Sequence, residues 1–142
     1  MRVMVIVKAG KESEPGIFPD EKFAAEMGKY NEQLVKAGVL LAAEGLYPSS
    51  KSKRIRFSGG KPIVIDGPFA ETKELIGGFW IWKVNSMDEA IEWVKRCPSP
   101  EGAVEGEIDI RPIIEGEDFW AEFSPELQEQ DKRMRAQAAA NK

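Results

Sequence analysis

The segment Asp66-Gly67-Pro68-Phe69-Ala70-Glu71-Thr72-Lys73-Glu74 is the most distinctive stretch of this 142-residue chain. Asp66 closes an apolar run at the start of a turn, and Gly67 and Pro68 supply the bend. Phe69 is placed to bury beneath that bend. The Asp66 carboxylate, desolvated beside apolar surface, would be a proton-transfer group. Glu44 is a second carboxylate of interest. Within an apolar segment it must reach solvent, pair with a base or hold a ligand. Arg111 is the natural anion anchor, because a guanidinium grips a carboxylate with two parallel hydrogen bonds. Trp80 and Trp82 offer large apolar surfaces with N–H handles, suited to an interface or a cleft wall. One constellation follows: Asp66 as acid and base, Arg111 orienting a small anionic or aromatic ligand, and Glu44, Trp80 and Trp82 around it. Each residue also has a plainer reading, as a structural turn, a solvated strand face or core.

What the chain lacks narrows the chemistry. It has no histidine, which excludes Ser-His-Asp catalysis, histidine-ligated zinc and histidine-ligated haem. Cys97 is the single cysteine, so neither an internal disulfide nor a multi-thiolate metal site can form. Gly59-Gly60 and Gly77-Gly78 read as turns rather than as a phosphate-binding loop, and no cofactor or metal is expected. Tyr30 and Cys97 fall on helical apolar faces and read as core. The longest strictly apolar runs, Val3–Val7 and Val39–Ala43, fall far short of the roughly 20 residues of a membrane span. Lys8 closes the first run too early for a signal peptide, so a cytoplasmic protein without membrane contact is expected. A net charge of −4 speaks against nucleic acid. The cluster Lys51, Lys53, Arg54, Arg56 and Lys61 reads as edge protection on a hairpin.

The elements that must position these residues follow from periodicity. Val3–Val7 is a strand apolar on both faces. Phe23, Met27, Tyr30 and Leu34 repeat at helical spacing after Pro19, Asp20 and Glu21, and Gly38 ends that helix. Val39–Leu46 is a second strand. Lys53–Phe57 and Pro62–Ile65 flank Ser58-Gly59-Gly60-Lys61 as a hairpin. Phe79–Val84 is the next strand, and Ser86-Met87-Asp88-Glu89 is a capping box opening a helix that Pro98 stops. Glu107–Arg111 alternates with period two, with Ile108 and Ile110 on one face and Glu107, Asp109 and Arg111 on the other.

The order β-α-β, hairpin, β-α-β predicts an α+β fold, a ferredoxin-like split βαβ with an inserted β-hairpin. Residues 1–114 form that domain, and 115–142 form a C-terminal extension that is partly helical. Helices cover one face of such a sheet. Val3, Val5 and Val7 alternate with Met4 and Ile6, and Phe79 and Ile81 with Trp80 and Trp82, so apolar side chains also point to the uncovered face. At about 25 cal/mol per Å², exposing them would cost several kcal/mol. A homodimer packed sheet to sheet is the economical cover. The alternative cover is a fold-back of Phe119, Trp120 and Phe123.

The nine-residue segment from Asp66, the Gly-Gly-aromatic strand, Arg96-Cys97-Pro98, Ala37-Gly38-Val39-Leu40 and Ile110-Arg111-Pro112-Ile113 together resemble the DGPF-motif branch of the YciI-related family, over about residues 1–114. The resemblance implies a dimeric ferredoxin-like α+β barrel. It implies no general activity; members often accompany extracytoplasmic-function sigma factors, and the wider family includes a dehydrochlorinase of a small aromatic ring with a proposed histidine–aspartate pair. That pair cannot be carried over to a chain without histidine; Asp66 alone matches the motif. Two functional readings therefore stand: a lyase- or isomerase-type enzyme of small molecules using a cleft near Asp66, and a non-catalytic binding or regulatory partner.

Overall fold

The computed structural model describes residues 1–10, 20–70, 74–99 and 106–141. Pro19, the motif residues Glu71–Lys73 and most of the loop before Glu107 lie outside them, as does the side chain of Phe119. The chain forms two compact units, Met1–Pro112 and Ile113–Lys142.

In the first unit, β1 (Arg2–Lys8) leads to α1 (Glu21–Lys36), β2 (Leu40–Gly45), β3 (Lys53–Ser58), β4 (Lys61–Asp66), β5 (Ile76–Lys83), α2 (Met87–Lys95) and β6 (Ile108–Pro112). Four strands make one antiparallel sheet in the order β2-β5-β1-β6, and β3 and β4 make a separate two-stranded sheet. With a helix following β1 and another following β5, this is the ferredoxin-like α+β arrangement. The helix caps are local chemistry. Asp20 accepts from the amide of Phe23 at 2.8 Å to open α1. Ser86 accepts from the amide of Glu89 at 3.2 Å, while the Glu89 carboxylate reaches back to the amide of Asn85 at 2.8 Å.

Register decides which side chains share a face. Val3 opposes Trp82 and Pro112, and Val5 opposes Trp80 and Ile110. This row joins Tyr30 and Leu34 of α1 and Ala90 of α2 in the buried core. The next row, Met4 with Ile81 and Arg111, and Ile6 with Phe79 and Asp109, lies on the opposite face. The apolar residues of that open face are thus Met4, Ile6, Phe79 and Ile81. The tryptophans are not among them: Trp82 is 0% exposed and Trp80 5%, both in the core. Alternation along β5 leaves no other outcome once Val3 and Val5 face the helices.

Gly77 and Gly78 are also not a turn but part of β5, where Gly78 is buried against β2. A β-carbon on Gly78 would meet the Glu44 carbonyl oxygen at 2.8 Å, so close strand approach demands glycine there. The true turn is Gly59-Gly60, with φ of 58° and 80° at the tip of the β3–β4 hairpin.

The second unit holds α3 (Gly116–Trp120) and α4 (Pro125–Ala140). Ser124 caps α4 with Pro125 in its first turn, and the Gln128 side-chain amide donates to the carbonyls of Trp120 and Phe123 at 3.0 Å each.

Candidate functional site

The turn that begins at Asp66 is held against the short 3-10 turn Ser49–Lys51 and its flanks. The amide of Gly67 donates to the Ser52 carbonyl at 2.9 Å, and the amide of Phe69 donates to Ser49 Oγ at 3.0 Å. Ser49 is the one buried polar residue among those described. The Arg54 guanidinium lies 4.0 Å from the centre of the Phe69 ring, closing the turn from the hairpin side. The Gly67–Pro68 peptide is cis.

This arrangement borders a cleft of about 440 Å³, within the size range of small-molecule sites. Leu46, Tyr47, Phe69, Leu75 and Ile76 give it apolar walls, and Ser49, Ser52, Lys51 and Glu74 give it polar groups. The Lys51 ammonium sits 4.4 Å from the centre of the Tyr47 ring, so a cation and an aromatic face are presented together. Chemically the cleft can hold a small planar body with an anionic end.

The residues singled out by sequence do not converge on it. Asp66 is on the exposed end of β4, with 73% of its side chain accessible, and its Oδ1 takes the Lys53 ammonium at 2.6 Å. Glu44 and Arg111 lie on the open face of the four-stranded sheet, on its outer strands β2 and β6. Asp109 beside Arg111 is engaged by Lys8 at 3.2 Å. Trp80 spends its N–H on Asn31 Oδ1 at 2.9 Å, and its ring lies tilted at 40° to that of Trp82 with centres 5.7 Å apart, inside the core. The expected single constellation is therefore three separate places: a solvated hairpin base, an open sheet face and the core. Tyr30 donates to the Trp93 carbonyl at 2.6 Å, and burial, reinforced by Cys97 and partly offset by Arg96, pushes its phenol far above the ordinary range. Burial likewise pushes the Cys97 thiol up to about 11, which leaves it an inert core residue.

Tyr47 and Ser49 escape sequence reasoning because the stretch after Leu46 carries no periodicity and reads as a plain loop, and Lys51 reads there only as one of the hairpin cations. The available signal was the glycine at 67, which permits either a bend or the close passage of another backbone.

The family model of the YCII-related domain matches residues 1–117. The chain belongs to the YCII-related family. It is similar to an uncharacterized protein of Rhizobium meliloti (strain 1021), at 33% identity over 94 residues, which cover 66% of this chain and 75% of that protein. The YCII-related match spans β1 to β6, α1, α2 and the cleft beside Phe69. Among the described residues, no group of His, Cys, Asp and Glu could hold a metal ion, and no helix is long and apolar enough to cross a membrane.

Proposed function

We infer that this member of the YCII-related family, in its DGPF branch, is a homodimeric cytoplasmic binding protein for a small anionic or aromatic molecule, held in the cleft between Tyr47 and Phe69. The observation that carries this reading is the pairing of a cation with aromatic and aliphatic walls: Lys51 over the Tyr47 ring, facing a cleft completed by Phe69, Leu75 and Ile76. Binding rather than catalysis is supported by Asp66. A carboxylate exposed to water and paired with Lys53 has neither the desolvation nor the placement that a general acid or base needs. A single, half-buried thiol with no disulfide partner suits a reducing compartment.

The dimer is supported by the open sheet face. Met4, Ile6, Phe79 and Ile81 form its apolar middle, with Glu44 on one outer strand and Arg111 on the other. A two-fold axis running along the strands sets β2 over β6 of the second copy, so that the apolar middles seal each other.

The test is thermal stabilisation of the full chain by benzoate and salicylate, with benzyl alcohol as the uncharged control. Stabilisation by the acids that Lys51→Ala abolishes and Asp66→Asn retains is the expected result. Equal stabilisation of the Lys51→Ala variant, or none in the native chain, overturns the ligand reading. For the dimer, light scattering at micromolar concentration should give twice the chain mass, falling to one with Ile6→Lys. A native protein of single chain mass overturns it.

A further inference from the structure

The β3–β4 hairpin is a two-stranded sheet with apolar side chains on both faces and three of its cations, Arg54, Arg56 and Lys61, on one. Pairing of Ile55 with Val64 and of Phe57 with Pro62 places these four on one face. They are conspicuously wet: Ile55 is 55% exposed, Val64 64% and Phe57 79%. The other face carries Arg54, Arg56 and Lys61 beside Ile63 and Ile65. From Lys51 to Asp66 there are five cations and the single carboxylate of Asp66, in a chain whose net charge is −4. Two strands alone are marginal in water, and an exposed apolar face makes them more so.

The edges of this small sheet are unequal. Among the described residues, β3 pairs with β4 alone, and β4 pairs with β3 alone. Pro62 has no N–H and blunts the β4 edge, whereas β3 contains no proline. Polar Ser58-Gly59-Gly60-Lys61 occupies the tip, so the apolar residues lie along the side of the hairpin rather than at its point. That is the wrong shape for insertion into a lipid surface. Arg54, Arg56 and Lys61 are on the face opposite Phe57, which is wrong for a nucleic-acid platform that interleaves cations with aromatic rings. Like charge disfavours hairpin against hairpin in a second copy.

We propose that the outer edge of β3 takes up an extended segment of another protein in which apolar and acidic residues alternate. Such a segment adds a third strand through main-chain hydrogen bonds. Its period of two lays apolar side chains beside Ile55 and Phe57 and carboxylates beside Arg54 and Arg56. Charge complementarity selects the partner and its register, while the apolar row supplies the burial that the hairpin alone lacks.

The test titrates the full-length protein into a fluorescein-labelled ten-residue peptide alternating Glu and Val, with a Lys–Val peptide of equal length as control. Saturable anisotropy is expected for the acidic peptide alone, weakened by salt and by roughly tenfold or more in Arg56→Glu. Ile55→Thr, which keeps strand propensity, should weaken it as well without changing the circular dichroism. Equal binding of both peptides, or none, overturns the proposal. So does unchanged affinity in Arg56→Glu and Ile55→Thr, or preferential binding of phosphatidylserine vesicles or a DNA duplex. A shift from dimer to monomer in Ile55→Thr would assign the face to a second copy and equally overturn it.

Discussion

Gly67 lies so close under the carbonyl oxygen of Ser49 that a β-carbon there would overlap it. The contact belongs to main chain on both sides, so no side-chain rotation relieves it. It joins the hairpin end to the 3-10 turn and thereby sets the position of Phe69 and the wall of the cleft.

Gly67→Ala should therefore destabilise the chain by roughly 1–3 kcal/mol, the usual cost of forcing extra carbon into a packed site. Gly28→Ala is the matched control. Gly28 is exposed in α1 with nothing within 4 Å of an added β-carbon, so the change should stabilise by about 0.5–1 kcal/mol. Urea denaturation of the two variants, read by circular dichroism, separates them by sign.

The ion pair of Lys53 with Asp66 is short but wet, with 65% and 73% of the two side chains accessible. Asp66→Asn should cost at most about 1 kcal/mol, and 0.5 M salt should erase the difference. A larger loss that salt leaves untouched would mean that Asp66 carries more than this pair.

Trp80 and Trp82 are neighbouring core rings with opposite polar accounting. The Trp80 N–H donates to Asn31, whereas the buried Trp82 N–H has no partner among the described residues. Trp80→Phe removes a made hydrogen bond and leaves Asn31 short of a donor. Trp82→Phe removes a group that is already unsatisfied. The first should be the more destabilising by roughly 0.5–1.5 kcal/mol in chemical denaturation.

Alkaline pH should weaken the fold through Cys97. Its thiol, near 9.0 in an ordinary setting, is pushed up to about 11 by burial. The folded chain thus holds that proton more tightly than the unfolded chain. The resulting stability is complete below pH 9 and is lost as pH rises toward 11. The Tyr30 phenol, displaced in the same direction, extends the decline further. Denaturation midpoints measured from pH 7 to 11 should fall only above 9, and Cys97→Ala should flatten the first part of that fall. At pH 8 the native thiol should react with Ellman's reagent far more slowly than in urea.

Local signals in this chain translate directly into local structure. The Ser86–Glu89 capping box forms, Asp20 caps α1, the Gly59-Gly60 tip closes the hairpin and the Phe23–Leu34 spacing lays Tyr30 and Leu34 into the core. Each depends on interactions within a few residues, which sequence spacing encodes. Gly77-Gly78 misled because a glycine pair signals a turn and a close strand approach equally well. Only the proximity of Glu44 in β2 distinguishes them.

The candidate site was less legible for the same reason. Trp80 and Trp82 are ambiguous as letters, since either face of an all-apolar strand can be the covered one. Register with Val3 and Val5 turned them inward and left Phe79 and Ile81 on the open side. Lys51 and Tyr47 carry no signal until the hydrogen bonds of Gly67 and Phe69 draw the two loops together across the hairpin.

By itself the order of residues determined the helices and strands, their caps and turns, the α+β class and the exclusion of histidine chemistry, because periodicity and residue type act over short range. Tertiary structure decided which strand face is covered, that Asp66 stands in water beside Lys53, and that a cleft opens between Tyr47 and Phe69. Those outcomes depend on strand register and on backbone meeting backbone between residues distant in sequence, and no local pattern contains them.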